Sequence, residues 1–480
     1  MTAASTRQRV LRSSIAAYGS QLGRTAIRIV AELTLARLVL PERHGLFEEA
    51  TAVVVILALV RDLGLPYHLV REPRQAYGTV FAWITGASLV LAGGVFAAAP
   101  IFAAWAPGLP EVLRVFALWI VLDGLSVVPR VFFERRLEVG RLVLPELLRG
   151  LAFAVLSIAL AATGHGVWSF VAGELVAAAL FAGLVWWRAR GALELDLAPG
   201  ILRDLLAKSR YLFLIALAAV SLPWVAVLIL GSFVHPDVVA YFTKARTWAF
   251  RLQILVLPAV ARVLYPTLVE YERHPRRFFA AYRLGTLSIL CLETLAAYFL
   301  FFNAKVVLVD VLLGPKWQGA VPLIQLLCFA PLVDPMSRLG GEVLKARQED
   351  RVWLLVVVLN SISLFGFGWA LTASLGAEGM AWANYLLLGN LLMTWSIWRA
   401  LGKDFWLLVR DLIFVYLVPL PFFLLTAWAL PAESWSRFAG SWVAAAVAGG
   451  LYLLRFHRPF RAFFLETEAA EEEGSPESIA

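Results

Sequence analysis

Long apolar stretches, separated by short polar segments, follow one another along most of the chain. Many of them approach or exceed the roughly 20 apolar residues that a helix needs to cross a bilayer. They are also too long and too uniformly apolar for barrel strands, so they predict transmembrane helices, whose backbone hydrogen bonds are all internal. Fourteen spans are expected, at residues 13–40, 46–60, 77–98, 113–129, 143–163, 167–187, 209–231, 239–261, 278–302, 321–337, 352–373, 379–398, 411–430 and 439–455.

The composition supports a membrane protein and excludes several other classes. Of the 480 residues 61% are apolar and 16% are charged, whereas soluble domains have about 45–50% and about 25%. An ordinary soluble enzyme, a disordered protein and a disulfide scaffold are therefore excluded. The two cysteines, Cys291 and Cys328, lie in apolar stretches, and the histidines lack ligand spacing, so neither a metal nor another cofactor is expected.

The distribution of basic residues predicts how the chain is oriented. With the N-terminus inside, the inner segments hold 29 of the 42 lysines and arginines, and the outer segments hold four. Because cytoplasmic loops carry an excess of Lys and Arg, both termini are expected in the cytoplasm, with an even number of spans between them. The net charge of +8 thus comes mostly from the basic residues of the cytoplasmic loops. Nucleic acid is therefore not an expected partner.

Weak internal similarity predicts two lobes. An offset of 195 residues aligns Pro41 with Pro236, and the turns Gly164–Trp168 and Gly376–Trp382 occupy comparable places in the two halves. Such repeats, with a site between them, are typical of transporters. The expected organisation is a cytoplasmic N-terminus (1–12), two six-helix lobes (13–190 and 205–400), a further helix pair (410–456) and a disordered, acidic cytoplasmic tail (462–480).

Two spans carry stripes of polar side chains. In the first span Gln21, Arg24, Arg28 and Glu32 fall on one helical face. The eighth span has a similar stripe, formed by Tyr241, Lys244, Trp248 and Arg251, with Arg246 off that stripe. A charge at the centre of a span costs about 2.5–3.5 kcal/mol, so these stripes predict a water-filled cationic cavity for an anionic headgroup. The candidate substrate-binding residues are Arg24, Arg28, Lys244, Arg251, Arg246, Trp248 and Tyr241.

Each stripe also has a purely structural interpretation. Arg28 and Glu32 would then pair with each other, Arg24 and Lys244 would extend to the membrane surface, and Tyr241 would belong to the interfacial aromatic belt.

Acidic residues within spans are candidates for binding a coupling proton or sodium ion. These candidates are Glu32, Glu174 and Glu293, of which the last two have no evident partner nearby in the sequence. For Asp123 and Asp334 the favoured interpretation is a salt bridge at a helix end. The sequence contains no phosphate-binding loop, zinc pattern or nucleophile elbow, so the protein is not expected to be an enzyme.

Several segments resemble bacterial polysaccharide transporters. They are the turn from Ala36 to Phe47, the Asp-x-Gly segment Asp62–Gly64, the inner loop Leu125–Leu148, the Gly-x-Gly-x-Trp turn within Thr163–Val176, and the outer segment Val311–Leu327. Over about residues 20–400 the chain resembles the Wzx-like oligosaccharide flippases. These polysaccharide biosynthesis and export proteins form the polysaccharide-transporter family of the MOP superfamily, which also includes the MATE transporters.

The resemblance implies a MATE/MOP-like, two-lobed bundle in the bacterial cytoplasmic membrane. Such a protein flips an undecaprenyl-diphosphate-linked oligosaccharide, a unit of exopolysaccharide, O-antigen (lipopolysaccharide) or another surface polysaccharide, from the inner to the outer leaflet by alternating access. Cavity arginines would hold the diphosphate, an ion gradient would drive transport, and the partners would be membrane lipids and polysaccharide polymerase machinery. The alternatives are a peptidoglycan-precursor flippase, a multidrug exporter of the same fold and, in a different class, a polyprenyl-sugar ligase or polymerase.

Overall fold

The computed structural model describes residues 23–71, 76–136, 138–333 and 335–473. Within these ranges every regular element is helical. Nine described stretches are long and apolar enough to cross a membrane, among them Tyr77–Ala104 and Gly140–Ala162. The chain is therefore an all-helical, multi-pass membrane protein, which confirms the prediction from the apolar pattern.

One of these stretches, Asp350–Leu401, contains 52 residues and covers two predicted spans. Gly376 interrupts the helix between them with a φ of 61° and a ψ of −137°. The total of fourteen spans stays a prediction, because several described helices are short or carry too many charges to qualify by length and composition.

The chain divides into two compact units, Met1–Ala240 and Tyr241–Ala480. Among its described residues the first unit contains the start of α10 (Pro236–Ala249) and nine α-helices before it: α1 (23–38), α2 (Pro41–Asp62), α3 (Leu65–Arg71), α4 (Tyr77–Ala98), α5 (Leu109–Phe116), α6 (Leu118–Arg135), α7 (Gly140–Ala162), α8 (Val167–Ala189) and α9 (Pro199–Phe233).

Helix α8 packs against both α6 and α7, and α2 packs against α9, α5 and α4. Two apolar clusters hold these helices together. Leu65, Val80 and Phe133 belong to the cluster centred on α3, α4 and α6, whereas Leu46 and Phe116 belong to the one between α2 and α5. The packing brings side chains of α6, α7 and α8 that are distant in sequence to face one another.

The proline motifs that suggested an internal repeat both begin helices. Pro41 starts α2 and Pro236 starts α10, where the fixed φ of proline suits the first turn. Gly45 lies where the first turn of α2 meets Pro236, and a Cβ at Gly45 would be 1.7 Å from the Pro236 carbonyl oxygen. Only glycine permits this approach.

The two glycine turns also correspond. Gly166 has a φ of 56° and a ψ of −125°, close to the values at Gly376. Residues other than glycine rarely adopt this backbone conformation, which is the mirror image of the extended region. The shared conformation supports the predicted repeat, although the six-helix lobes themselves stay a prediction.

In the part that the structure describes, the second unit contains the rest of α10 and nine further α-helices: α11 (Arg251–Glu270), α12 (Pro275–Lys305), α13 (Ala320–Leu327), α14 (Pro335–Ala346), α15 (Asp350–Ala383), α16 (Leu388–Leu401), α17 (Asp404–Leu417), α18 (Pro419–Ala429) and α19 (Trp435–Glu473). A large apolar cluster that includes Tyr282, Met393 and Leu408 forms its core. Asp411 of α17 pairs with Arg283 of α12 and Arg455 of α19, which ties the last helices to this core.

The boundary between the two compact units lies after Ala240, because α9 packs on α2 and α3 of the first unit. The predicted division of the six-helix lobes between 190 and 205 stays a prediction. The predicted disordered tail is corrected for residues 462–473, because α19 continues to Glu473 and the alanines and glutamates there are strong helix formers. The predicted N-terminus (1–12), Gln21, Asp334 and residues 474–480 lie outside the described residues.

Candidate functional site

A cavity of about 280 Å³ lies within the first unit, among α1, α6, α7 and α8. Four arginines and two glutamates line it, which gives the lining a formal charge of +2. We call it the arginine cavity, and its lining residues are Arg24, Arg28, Arg130, Glu146, Arg149, Gly150, Phe153, Glu174 and Phe181.

Helix α1 supplies Arg24 and Arg28, which are four residues apart and therefore on one helical face. The same helix packs closely on α7, since a Cβ at Gly23 would lie 3.1 Å from Leu147. Arg24 Nη1 is 3.2 Å from Glu146 Oε2 of α7. The structure thus places both arginines in a cavity wall, as the first stripe predicted, and their role in binding a substrate stays a prediction.

A second ion pair joins α7 to α8 in the wall. Arg149 Nη2 donates to Glu174 Oε1 at 2.9 Å, and Trp119 Nε1 donates to the same oxygen at 3.3 Å. The Arg149 guanidinium also lies 5.5 Å from the ring centroid of Phe181. Glu174 is therefore held by two donors from neighbouring helices, and Arg149 has a fixed orientation toward the cavity.

The other two arginines are less constrained. Arg130 Nε lies 3.8 Å from Glu134, which does not line the cavity. Arg28 is exposed and, among the described residues, has neither a hydrogen-bond nor an ion-pair partner. The alternative in which Arg28 pairs with Glu32 is therefore wrong for this structure, and the Arg28 guanidinium is available to a ligand.

Sequence reasoning missed half of this cavity. Arg130, Glu146 and Arg149 are not among the candidate residues that the sequence indicates. The spacing of Glu146 and Arg149, three residues apart at the start of an apolar helix, was a local signal of a polar face. Their meeting with α1 and α8 depends on helix packing.

The chain is similar to a family of known proteins. The family described as "Polysaccharide biosynthesis protein" matches residues 34–322, more than half of the chain. The chain belongs to this family. The resemblance to polysaccharide transporters that the sequence motifs indicated is thereby confirmed.

Individual proteins are also similar to this polysaccharide biosynthesis protein. The succinoglycan biosynthesis transport protein ExoT of Rhizobium meliloti (strain 1021) is 26% identical over 402 residues, which cover 80% of this chain and 79% of ExoT. The lipid II flippase MurJ in an inward closed conformation aligns with a TM-score of 0.76 at 12% identity, covering 94% of this chain and 99% of MurJ. An inward-facing MATE multidrug transporter of the MOP superfamily aligns with a TM-score of 0.60 at 16% identity, covering 81% and 96%. These structures confirm the MATE/MOP-like fold.

The second predicted stripe of this polysaccharide biosynthesis protein lies in its second unit. The stripe was expected on one continuous helix, but α10 ends at Ala249 and Arg251 begins α11, after a break at Phe250. The Arg251 guanidinium lies 4.6 Å from the ring centroid of Trp248. Arg246 lies 5.5 Å from the ring of Phe250.

The remaining members of this stripe have packing roles. The Tyr241 hydroxyl donates to the Lys316 carbonyl at 3.3 Å, and its ring meets Trp317 edge-on. A Cβ at Gly319 would lie 2.6 Å from the Tyr241 ring, so the outer turn is shaped around this tyrosine. Lys244 is buried. These contacts do not test whether Tyr241 and Lys244 bind a substrate, which stays a prediction.

The acidic candidates have different environments. Asp123 accepts a hydrogen bond from Arg61 Nη2 at 3.0 Å, so it forms a salt bridge, with a partner on α2 and not with the nearby Arg130 of its own helix. Arg61 also binds Asp62 and the Ile120 carbonyl. Glu32 is partly buried outside the arginine cavity, and Glu293 is buried in α12. In the part of the chain that the structure describes, no three His, Cys, Asp or Glu side chains form a group that could hold a metal ion.

Proposed function

We propose that this polysaccharide biosynthesis protein is a transporter that moves a diphosphate-linked lipid oligosaccharide from the inner to the outer leaflet by alternating access. The observation that carries the proposal is the arginine cavity. A guanidinium group binds two phosphate oxygens at once through its planar fork. A diphosphate esterified at both ends carries two negative charges. They would balance the formal charge of +2 of the cavity lining.

The charge balance within the cavity supports a ligand rather than a structural cluster. Charged side chains inside a membrane are costly, and buried groups there are usually paired. Glu146 and Glu174 pair with Arg24 and Arg149, whereas Arg28 has no such partner among the described residues. A purely structural network would have matched charges, so the surplus positive charge favours an anionic substrate.

The predicted orientation supports loading from the cytoplasmic side. The inner loop lies between α6 and α7, so Arg130 is near the inner end of α6. Arg149 is nine residues into α7, which corresponds to about 13 Å along the helix. The cavity would then lie in the inner half of the membrane and receive the headgroup from the inner leaflet.

The relatives favour a polysaccharide substrate over a drug. ExoT is named as a transport protein of succinoglycan biosynthesis. A multidrug exporter of the same fold is disfavoured because a cationic cavity repels cationic compounds. On this proposal the lipid-linked oligosaccharide would be delivered to polymerase machinery outside, and Glu32, Glu174 and Glu293 are the candidates for ion coupling.

Complementation of a deletion strain tests this function. The deletion is complemented with the wild type, Arg28→Ala, Arg149→Ala, the double variant, or Arg37→Ala, and polysaccharide export is measured. Hydrogen bonds to charged groups contribute about 1.5–3 kcal/mol each, so loss of two arginines should lower export by the double variant by roughly a hundredfold or more. Arg37 is an exposed arginine of the same helix outside the cavity and is the matched control.

Mass spectrometry of the lipid fraction distinguishes two failures. If the deletion strain accumulates no lipid-linked oligosaccharide, the protein is not its transporter. If the oligosaccharide accumulates but the double variant exports at the wild-type rate with equal protein levels, the arginine cavity is not the binding site. We expect the lipid-linked oligosaccharide to accumulate in the deletion strain. Complementation with Arg37→Ala should relieve this accumulation, and complementation with the double variant should not.

A further inference from the structure

Glu49 of α2 is a fully buried acid, with an exposed fraction of 0%. Both of its carboxyl oxygens are buried and have no hydrogen-bond partner among the described residues. The side chain packs against α9, since a Cβ at Gly231 would lie 3.1 Å from Glu49 Cδ. The carboxyl group therefore sits in a helix–helix contact in which glycine leaves just enough room for it.

Among the described residues, no charged group of the neighbouring helices reaches this carboxyl. Helices α4, α5, α6, α8 and α9 pack against α2, and α1 and the start of α10 contact its first turn at His44 and Gly45. The charged residues of α1 have no hydrogen bond or ion pair with Glu49, and Asp237 of α10 accepts from the Val238 N–H instead. Helix α4 has no charged residue, and Glu111 and Arg114 of α5 are exposed. The charged residues of α9, Arg203 to Arg210, precede Gly231 by at least 21 positions, or about 30 Å of helix.

The charged groups of α6 and α8 have other contacts. On α6, Asp123 binds Arg61, Arg130 pairs with Glu134, and Arg135 lies beside Tyr77. On α8, Glu174 binds Arg149, and Arg188 donates to the Arg141 carbonyl. Helix α2 itself carries Glu42, Arg43, His44, Glu48, Arg61 and Asp62. Within the described chain none of these groups has a hydrogen bond, ion pair or electrostatic interaction with Glu49.

Physical chemistry restricts what such a group can be. An ionised carboxylate in an apolar interior, with neither a partner charge nor a hydrogen bond, is so unfavourable that the group takes up a proton instead. A metal cation would need several oxygen ligands. Glu49 offers two carboxyl oxygens alone, so the geometry fits a proton and does not fit Na⁺, Mg²⁺ or Ca²⁺.

We propose that Glu49 is a proton-binding site, protonated while α2 and α9 are in contact and deprotonated when they separate at Gly231. On separation the carboxyl O–H bond breaks and the proton passes to water. The carboxylate that remains opposes closure of the contact, because closing would bury an unpaired charge. Proton binding and helix contact are thereby linked, so protonation shifts the population of the two arrangements. This site is independent of the arginine cavity and of any substrate.

Infrared difference spectroscopy of the full-length protein in lipid nanodiscs tests the proton directly. A protonated carboxyl in an apolar site gives a C=O stretching band at high frequency. We expect this band in the wild type at neutral pH, and its loss in Glu49→Gln. Glu48→Gln, the adjacent acid on the same helix, is the matched control and should retain the band. If Glu49→Gln fails to fold, Glu49→Asp keeps the acid and should retain a shifted band.

Thiol labelling tests the link to helix contact. Ser232 is next to Gly231 and is replaced by cysteine in a chain in which Cys291 and Cys328 are replaced by serine. The labelling rate with a water-soluble reagent, corrected for reagent ionisation with a free thiol, should rise several-fold from mildly acidic to alkaline pH. In the Glu49→Gln background it should not rise.

Two results would overturn the proposal. One is a wild-type spectrum in which Glu49→Gln removes no carboxyl band, because Glu49 would then be ionised in the closed contact. The other is an equal rise of Ser232→Cys labelling with pH in the presence and absence of Glu49→Gln, because α9 would then respond to a different group.

Discussion

The Arg149 guanidinium donates to Glu174 Oε1 across 2.9 Å and joins α7 to α8 in the wall of the arginine cavity. Both side chains remain about a quarter exposed, at 27% and 23%. The pair is thus neither a deeply buried cluster nor a surface contact. It orients Arg149 toward the cavity and neutralises part of its charge. On the proposed function, an anion would replace the Glu174 carboxylate at Arg149, so Glu174 would weaken the binding of that anion.

Removing the charge of Glu174 should therefore tighten anion binding. Glu174→Gln raises the formal charge of the cavity lining by one and frees Arg149, so affinity for a short-chain diphosphate diester should increase by roughly tenfold, or about 1.4 kcal/mol. Titration calorimetry on the purified protein measures this change. Glu378→Gln, at an exposed acid in the second unit, should leave the affinity unchanged. Weaker binding by Glu174→Gln would show that the carboxylate itself contacts the ligand or is needed to orient Arg149.

Gly45 should tolerate no side chain. In Gly45→Ala the Cβ would overlap the Pro236 carbonyl oxygen, from which it would be 1.7 Å away, so the start of α2 has to move. Overpacking of this kind costs about 1–3 kcal/mol. Thermal unfolding in detergent should show a clear loss of stability. Gly93→Ala in α4 meets no atom within 4 Å and should be neutral or slightly stabilising. Equal effects at the two positions would contradict the close approach of α2 and α10.

Asp411 should be essential for holding the C-terminal helices to the second unit. Its side chain is fully buried between Arg283 and Arg455. Removal of one partner from a buried pair costs about 3–5 kcal/mol, so Asp411→Asn should lower the unfolding temperature markedly. Asp404→Asn, at an exposed acid in the first turn of the same helix, should cost about 0.5 kcal/mol through the helix dipole. Comparable losses in the two variants would show that the Asp411 cluster contributes little.

Arg61 should show strong coupling to its acidic partners. It is fully buried and binds Asp62, Asp123 and the Ile120 carbonyl. Arg61→Met leaves two carboxylates without their cation and should cost about 3–5 kcal/mol. Adding Asp62→Asn and Asp123→Asn removes those charges and should restore part of the stability. Thermal unfolding of the wild type, Arg61→Met, the double variant at Asp62 and Asp123, and the triple variant measures the coupling between Arg61 and the two acids. Strictly additive losses of stability would contradict a shared cluster.

The sequence by itself determined the fold class, the membrane environment and the family. Apolarity over about 20 residues is a local property, and it specifies a spanning helix whatever the neighbouring helices are. The proline and glycine motifs at Pro41, Gly45, Gly166 and Gly376 were also local, because a special backbone conformation requires a particular residue at that position. The predicted repeat and the family resemblance depended on these positions.

Only the tertiary structure decided which charges meet. Arg149 and Glu174 are 25 positions apart, and Arg61 and Asp123 are 62 apart, so no helical periodicity relates them. The stripe at Arg24 and Arg28 was visible as a helical face, whereas Arg130, Glu146 and Arg149 joined it through packing. Glu49 is a further acid whose surroundings only the packing decides: it lies near the start of a predicted span, and nothing in the sequence indicates that its carboxyl group lacks a partner. Whether a charge is paired depends on which faces of distant helices come together, and a pattern along one helix does not contain that information.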